Sequence, residues 1–286
     1  MKNIEYSIVK TVLMGTLGNK GNCIIRFNFQ DVSLAFSCCH LKAGIKEIAG
    51  RVQELSDILN YKIQLRDSKE IIFKDHDVFF IFGDLNFRID LDISKCMDFI
   101  RTGSLETLFL YDQLNKKKII SKDLMVLDEM YINFPPTYKY EIGTNDYDFK
   151  DKRIPSWCDR ITFNFNPNIK GIYYDHIDHF KESDHKPIYG MFKIIINEKG
   201  INNNDDIVVS NSNNNNLFDN VFPGNFVGYN NQNNLINFND NQNDLINFNY
   251  NNNNTINTNT NTNPNSNMNS NFFFFYFFVF FFFFYF

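Results

Sequence analysis

The 286 residues predict a mixed α/β domain followed by a polar tail, on three observations. Apolar stretches of strand length, bounded by Gly, Asn, Asp or Pro, recur between Cys23 and Ile196. Ile45, Ile48, Ala49, Val52, Leu55, Ile58 and Leu59 repeat at helical spacing with charges between them. From Ile201 onward the composition turns abruptly to Asn, then to an almost pure Phe tract. These shifts divide the chain into a globular segment 1–198, an Asn-rich segment 199–271 expected to be disordered, and an apolar segment 272–286.

Taken in order, Lys10 to Gly21 reads as a Gly-punctuated loop. Cys23–Phe29 and Val32–Cys39, separated only by Gln30-Asp31, read as an antiparallel hairpin whose second strand ends at His40. Ile45 to Leu59 reads as a helix. Val78 to Phe82 reads as a buried strand that Gly83 ends. Asp92–Phe99 and Ser104–Leu114 read as helices. Phe134 to Trp157, with Pro135, Pro136 and Pro155, is a long connection of the kind that carries function or lacks order. Ile161–Phe165 and Ile188–Ile196 read as closing strands, giving helices between antiparallel or mixed strands.

The formal net charge of −5 argues against a general nucleic-acid binder, which would carry a basic face. An anionic substrate needs only a local cationic pocket. None of the five cysteines forms a C-x-x-C pair, and Cys38 and Cys39 point to opposite sides of a strand. They read as reduced residues in or near the core of a cytoplasmic protein. No apolar stretch of secretory type follows the N-terminus.

Chemistry concentrates where strands end. Gly83-Asp84-Leu85-Asn86 follows an apolar strand, and residues two apart on an extended end face the same way. A carboxylate beside an amide can take a proton from water, bind a metal or hydrogen-bond an oxyanion. The other islands are Gly18-Asn19-Lys20-Gly21, Cys39-His40-Leu41, Pro136-Thr137-Tyr138-Lys139-Tyr140, Lys152-Arg153 running into Pro155-Ser156-Trp157-Cys158-Asp159-Arg160-Ile161, and Ser183-Asp184-His185-Lys186-Pro187. Each alone has a plain structural explanation. His40 could be a hydrogen-bonded strand end, Asp159-Arg160 an ion pair, Asp184-His185 a cap, and Lys139, Lys152 and Arg153 solvated charge. His176 and His179 have no partners in sequence to complete a metal site and read as surface loop.

Together and in this order, from about Thr11 to Phe192, the islands resemble the inositol polyphosphate 5-phosphatase family of the DNase I-like endonuclease/exonuclease/phosphatase superfamily. Gly-Asp-Leu-Asn-Phe-Arg-Ile and Arg-Ile-Pro-Ser-Trp-Cys-Asp-Arg-Ile carry the resemblance. Tyr111-Asp112-Gln113-Leu114 and Phe-Pro-Pro-Thr-Tyr-Lys-Tyr look most like the lipid-acting type II members. The resemblance implies a four-layer α/β/β/α sandwich and Mg²⁺-assisted hydrolysis of an inositol 5-phosphate. It implies that Asp84 orients or deprotonates the attacking water and Asn86 holds a phosphate oxygen. His185 would contact the scissile phosphate with Asp159 fixing its ring, and His40 and Asp184 would complete the cage. Tyr138, Lys139, Lys152 and Arg153 would recognise a second ring phosphate, with Asn19, Lys20 and Arg160 further lining the pocket. The substrate would be a phosphoinositide at a membrane surface or a soluble inositol phosphate.

The family's domain begins well before the Gly-Asn-Lys-Gly loop and there supplies a Glu as main Mg²⁺ ligand. Only 17 residues precede Gly18 here, and their one Glu, Glu5, lies too close to the loop. The expectation is therefore an N-terminally incomplete catalytic domain, its Mg²⁺ resting on Asp184, Asn86 and water. Two alternatives follow: an inactive inositol-phosphate-binding or scaffold protein, and a nuclease of the same superfamily. In the tail, Leu235-Ile236-Asn237-Phe238 recurs as Leu245-Ile246-Asn247-Phe248, a pattern resembling the clathrin-box docking motif, with Asn239 and Asn249 where that motif wants an acidic residue. Phe272 to Phe286 is shorter than the roughly 20 apolar residues that cross a bilayer, so peripheral membrane contact is expected rather than a C-terminal anchor.

Overall fold

A computed structural model of the chain describes residues 1–10 and 20–197, and the backbone of strands at 227–229, 235–237 and 272–281. The strands are β1 (Lys2–Lys10), β2 (Gly21–Phe29), β3 (Val32–His40), β4 (Lys62–Gln64), β5 (Glu70–Ile72), β6 (Val78–Asp84), β7 (Leu127–Glu129), β8 (Asp159–Asn164), β9 (Ile169–His176), β10 (Ile188–Asn197), β11 (Val227–Tyr229), β12 (Leu235–Asn237) and β13 (Phe272–Phe281). The helices are α1 (Ile48–Leu59), α2 (Ile93–Arg101), α3 (Leu105–Phe109) and α4 (Gln113–Ile120). The chain divides into two units, Met1–Asn204 with Phe272–Phe286, and Asp205–Asn271.

In the first unit a six-stranded sheet runs in the order β1-β2-β3-β6-β8-β7. Only β3 and β6 are parallel within it, joined by a crossover that contains α1. Alternation sends one set of side chains to each face. Ile24, Ala35, Phe79 and Ile81 meet Leu55, Ile58 and Leu59 of α1 on one side. Phe36, Phe80 and Phe163 meet Phe192, Ile194 and Tyr174 of the second sheet on the other, with the Phe80 and Phe192 rings 4.9 Å apart. The second sheet runs β13-β10-β9. The α1 layer and both sheets of the expected sandwich are thus present among the described residues.

Several elements differ from the sequence reading. The strand at Val78 runs through Gly83 to Asp84 instead of ending at Gly83. Gly83 has φ +123°, and a Cβ there would lie 2.2 Å from the Cys39 carbonyl oxygen. Glycine is needed because the neighbouring strand's backbone packs on it, not because the strand turns. The helix expected over Ser104–Leu114 is two helices. Asp112 breaks it by accepting from the Asn115 amide at 2.8 Å as the N-cap of α4. Strands β1, β4, β5, β7 and β9 were not anticipated. Three of them have only three residues each, too short for an alternating pattern.

Of the tail readings, the first docking repeat falls partly in β12, which pairs antiparallel with β11. Phe238 and the Leu245–Phe248 copy lie outside the described residues, as does most of the stretch expected to be disordered. The Phe tract contributes β13, in register with β10 from Ile188↔Phe281 to Asn197↔Phe272. Among the described residues, no helix is long and apolar enough to cross a membrane.

Candidate active site

The site begins as a row across three strands. Register places His40 beside Asp84, and Asp84 beside Asp159. All three therefore stand at one rim of the six-stranded sheet. On β3 and β6 the same rows lead inward through Cys38–Phe82 to Phe36–Phe80, so the polar rim rests on the aromatic core. Slipping one pair by a single residue would send these side chains to opposite faces.

Asp84 and Asn86 do meet, though not as neighbours on an extended strand. Asn86 has φ +56°, and its amide N–H donates to Asp84 Oδ1 at 3.0 Å, a tight turn closed by the aspartate side chain. Asn86 Nδ2 donates to Asp84 Oδ2 and to the Leu41 carbonyl, both at 3.0 Å. Its Oδ1 accepts from Arg88 Nη2, and Arg88 Nε donates to the Asn86 carbonyl at 3.2 Å. The amide is held from both ends. Sequence reasoning quoted Arg88 within its motif and gave it no role. Here its guanidinium also lies 4.3 Å from the centre of the Tyr138 ring, joining the strand rim to the next segment.

His185 enters from the loop before β10. Tyr138 bridges both Ser156 and His185 as a short antiparallel pairing, and the Tyr138 and His185 rings lie 4.6 Å apart. His185 Nδ1 bonds Asp159 Oδ2 at 2.9 Å, and Thr137 Oγ1 donates to the same oxygen at 2.8 Å. Asp84, Asn86, Asp159 and His185 are each at most 3 % exposed. Burial alone would lower the His185 pKa. The Asp159 charge and hydrogen bond outweigh it and raise the imidazole to about 9, so it is protonated at neutral pH. Burial lifts Asp84 to about 6, against the His185 charge that pulls it down. His40 moves the other way, to about 4, through burial and then the charges of Lys20 and His185. Its Nε2 lies 3.3 Å from Asp84 Oδ2 and takes a close contact from Lys20 Nζ. Burial also lowers the Lys20 pKa, opposed by Asp84.

The remaining expected residues separate into three groups. Lys139, Lys152 and Arg153 lie on the loop that folds back beside Tyr138. Asp148 N–H donates to the Lys139 carbonyl at 2.9 Å, and Lys139 Nζ pairs with Asp148 at 3.1 Å and Asp151 at 2.7 Å. Lys152 and Arg153 are exposed. Asn19 lies outside the described residues. Arg160 is a correction. Next to Asp159 on β8, it points to the other face and is fully buried, bonding Glu129 at 2.7 and 2.5 Å and Asp112 at 3.0 Å. It ties β8 to β7 and to the start of α4.

Each Asp84 carboxylate oxygen accepts one hydrogen bond from Asn86, which leaves acceptor sites for a water or a cation. The Asp184 carbonyl accepts from Tyr140 N–H at 2.9 Å, and its carboxylate is half-buried. Glu5, on β1, is taken up by Arg26 at 3.1 Å. Among the described residues no group of three or more His, Cys, Asp or Glu is placed to hold a metal ion. Mg²⁺ keeps several waters and is commonly held by one or two carboxylates together with substrate phosphate oxygens. His176, expected in a surface loop, is instead the last residue of β9, where its ring stacks on Phe134 at 5.4 Å and pairs with Asp175 at 2.9 Å.

Two packed β-sheets covered by α1 make a DNase I-like fold. Residues 1–191 match the family model described as Endonuclease/Exonuclease/phosphatase family 2, and the chain belongs to that family. It is 38 % identical over 194 residues to inositol-1,4,5-trisphosphate 5-phosphatase 1 of Schizosaccharomyces pombe, covering 68 % of this chain and 18 % of the relative. It is 36 % identical over 220 residues to human phosphatidylinositol 3,4,5-trisphosphate 5-phosphatase 2, covering 71 % and 17 %. The chain thus spans under a fifth of the length of these curated relatives. Among solved structures it is similar to the inositol polyphosphate 5-phosphatase domain of SPsynaptojanin, crystallised with inositol (1,4)-bisphosphate and calcium. The TM-score is 0.58 at 38 % identity, covering 66 % of this chain and 54 % of that one.

Proposed function

We propose that this site binds the phosphorylated ring of a phosphoinositide or inositol polyphosphate and is built for hydrolysis of its 5-phosphate. The observation that supports this best is the row His40–Asp84–Asp159 with His185 bonded to its end. Relatives named as 5-phosphatases, and a solved neighbour holding inositol (1,4)-bisphosphate, support the choice of ring.

In this reading Asp84 takes the proton of a water that attacks phosphorus in line with the departing 5-oxygen. His185, protonated and oriented through Nδ1 by Asp159, donates from Nε2 to a phosphate oxygen as charge gathers there. Lys20 adds a second positive charge at the same rim. Tyr138, Lys139, Lys152 and Arg153 hold a second ring phosphate, the 4-phosphate by family analogy. A lipid substrate would bring the domain to a membrane surface from the cytoplasm. Mg²⁺ is the cation this chemistry expects, and Asp184 and Asn86 would hold it together with water. A second reading is an inositol-phosphate-binding protein with little turnover.

The test pairs calorimetric titration of the 286-residue protein with inositol (1,4)-bisphosphate and phosphate release from vesicles containing PtdIns(4,5)P₂, with and without Mg²⁺. The expected result is saturable binding with Mg²⁺-dependent release. Binding without release by a folded sample would favour the second reading. Absence of binding by a folded sample would overturn the assignment of the ring pocket.

A further inference from the structure

Gln113 is the first residue of α4 and is 1 % exposed. A primary amide offers two acceptor positions and two donor hydrogens, and here all four are used. Oε1 accepts from Arg51 Nη2 at 2.7 Å and from the Arg88 N–H at 3.1 Å. Nε2 donates to Asp90 Oδ1 at 2.6 Å and, at the longer distance of 3.4 Å, to the Ile45 carbonyl. The Gln113 N–H donates to the Arg88 carbonyl at 2.9 Å, so one residue grips both polar groups of the Arg88 backbone.

These partners lie on the two segments that leave the candidate active site. Ile45 belongs to the stretch that follows His40, and Arg88 and Asp90 to the stretch that follows Asp84 and Asn86. Residues 41–45 and 85–90 lie outside the helices and strands, so side chains supply the backbone with the partners a sheet ladder supplies elsewhere. Arg51 extends the clamp to the first stretch. It is fully buried, and its Nη1 donates to the Lys42 and Gly44 carbonyls at 3.2 and 2.5 Å. On the second stretch Arg88 holds the side-chain oxygen and the carbonyl of Asn86, and Asn86 in turn holds Asp84. The path from Gln113 to Asp84 runs through buried hydrogen bonds only.

We propose that Gln113 is a positioning residue for the Asp84–Asn86 turn, acting through Arg88 and Arg51. The role in turnover rests on the hydrolysis reading above; the clamp itself does not. Gln113 acts on the reacting atoms only through other residues. It keeps the chain leaving His40 and the chain leaving Asp84 at one separation, so that Asp84 meets the attacking water in the geometry proton transfer requires. An apolar side chain of similar volume would fill the space and lose the four side-chain bonds. It would leave the buried Arg51 guanidinium and the Arg88 N–H short of an acceptor. A glutamate would keep an oxygen for both. Its second oxygen would face Asp90, which is exposed, paired with Lys116 at 3.2 Å and able to turn away.

The test compares Gln113→Met and Gln113→Glu with the wild-type 286-residue protein by hydrogen–deuterium exchange, and by phosphate release from vesicles containing PtdIns(4,5)P₂. Gln113→Met should speed amide exchange in peptides covering 41–47 and 85–92, while the interiors of β3 and β6 exchange as in the wild type. Its kcat should fall about tenfold or more, as a small misplacement of a reacting group demands, with KM unchanged. Calorimetric affinity for inositol (1,4)-bisphosphate should also hold. Gln113→Glu should restore protection over 85–92 and most of the release. Faster exchange throughout the protein in Gln113→Met, or no change in these two segments, would overturn the positioning role. So would a raised KM with kcat intact, or global unfolding of both variants. A folded wild type without phosphate release would sink the hydrolysis reading. Local exchange confined to the two segments in Gln113→Met would then still support Gln113 as the residue that holds the turn.

Discussion

The rim row and the cationic loop face one ligand in the proposed reading, yet they are built in opposite ways. His40, Asp84 and Asp159 sit on three hydrogen-bonded strands, with His185 clamped to the last. Lys139, Lys152 and Arg153 sit on an irregular loop, two of them exposed and the third paired with Asp148 and Asp151. The first arrangement fixes positions closely, as proton transfer and charge stabilisation demand. The second leaves the binding of distant phosphates to groups that can shift or be exchanged without disturbing the sheet. In the proposed reading, chemistry sits where the fold is stiff and selectivity where it is not.

Arg160 gives the largest test of that contrast. It supports the row from behind through Glu129 and Asp112, all buried. Arg160→Ala should lower stability by about 3–5 kcal/mol, the cost of leaving buried carboxylates unpaired. A loss under about 1 kcal/mol by urea denaturation, where exposed ion pairs fall, would mean the row does not depend on this support.

Asp84→Asn comes next. Whatever phosphate release the protein sustains should fall at least about 10²-fold, the scale of a lost general base. Binding of inositol (1,4)-bisphosphate should persist. Equal loss of binding would make Asp84 part of the pocket rather than of the reaction.

The pH dependence of stability separates the two regions further. His185 has its folded pKa raised from 6.5 to about 9. Its stabilisation is complete below pH 6.5 and lost as pH rises through about 9. His185→Asn should flatten the stability curve between those values, and Asp159→Asn should do the same by removing the cause. An unchanged slope in both variants would sever the proposed couple. Lys139→Met is the smallest effect. It should cost less than about 1 kcal/mol of stability, as surface pairs do, while weakening affinity for the bisphosphate about tenfold, near 1.4 kcal/mol. A variant that melts early without losing affinity would reverse the roles assigned to row and loop.

Local pattern carried much of this. The β2–β3 hairpin, α1, the strand into Gly83-Asp84 and the long proline-marked connection all follow from short-range physics. Alternation, helical spacing and turn residues act over a few positions, so they are visible in a chain read in order. The motifs around Asp84, Asp159 and His185 were equally visible as chemistry collected at strand ends. What they would do to one another was not. Nothing in Trp-Cys-Asp-Arg says that Asp159 faces His185 while Arg160 turns to Glu129 and Asp112. That split depends on which face of β8 each neighbouring strand packs against. Nor does the sequence place Arg88 between Asn86 and Tyr138. Gly83 reads in sequence as a strand end, whereas the need for glycine lies in the backbone of Cys39, more than 40 residues earlier. The sequence by itself determined which residues could do chemistry and which segments could hold them. Only the tertiary structure decided their partners, because strand register is set by the packing of whole sheets, and a slip of one residue would exchange every facing pair.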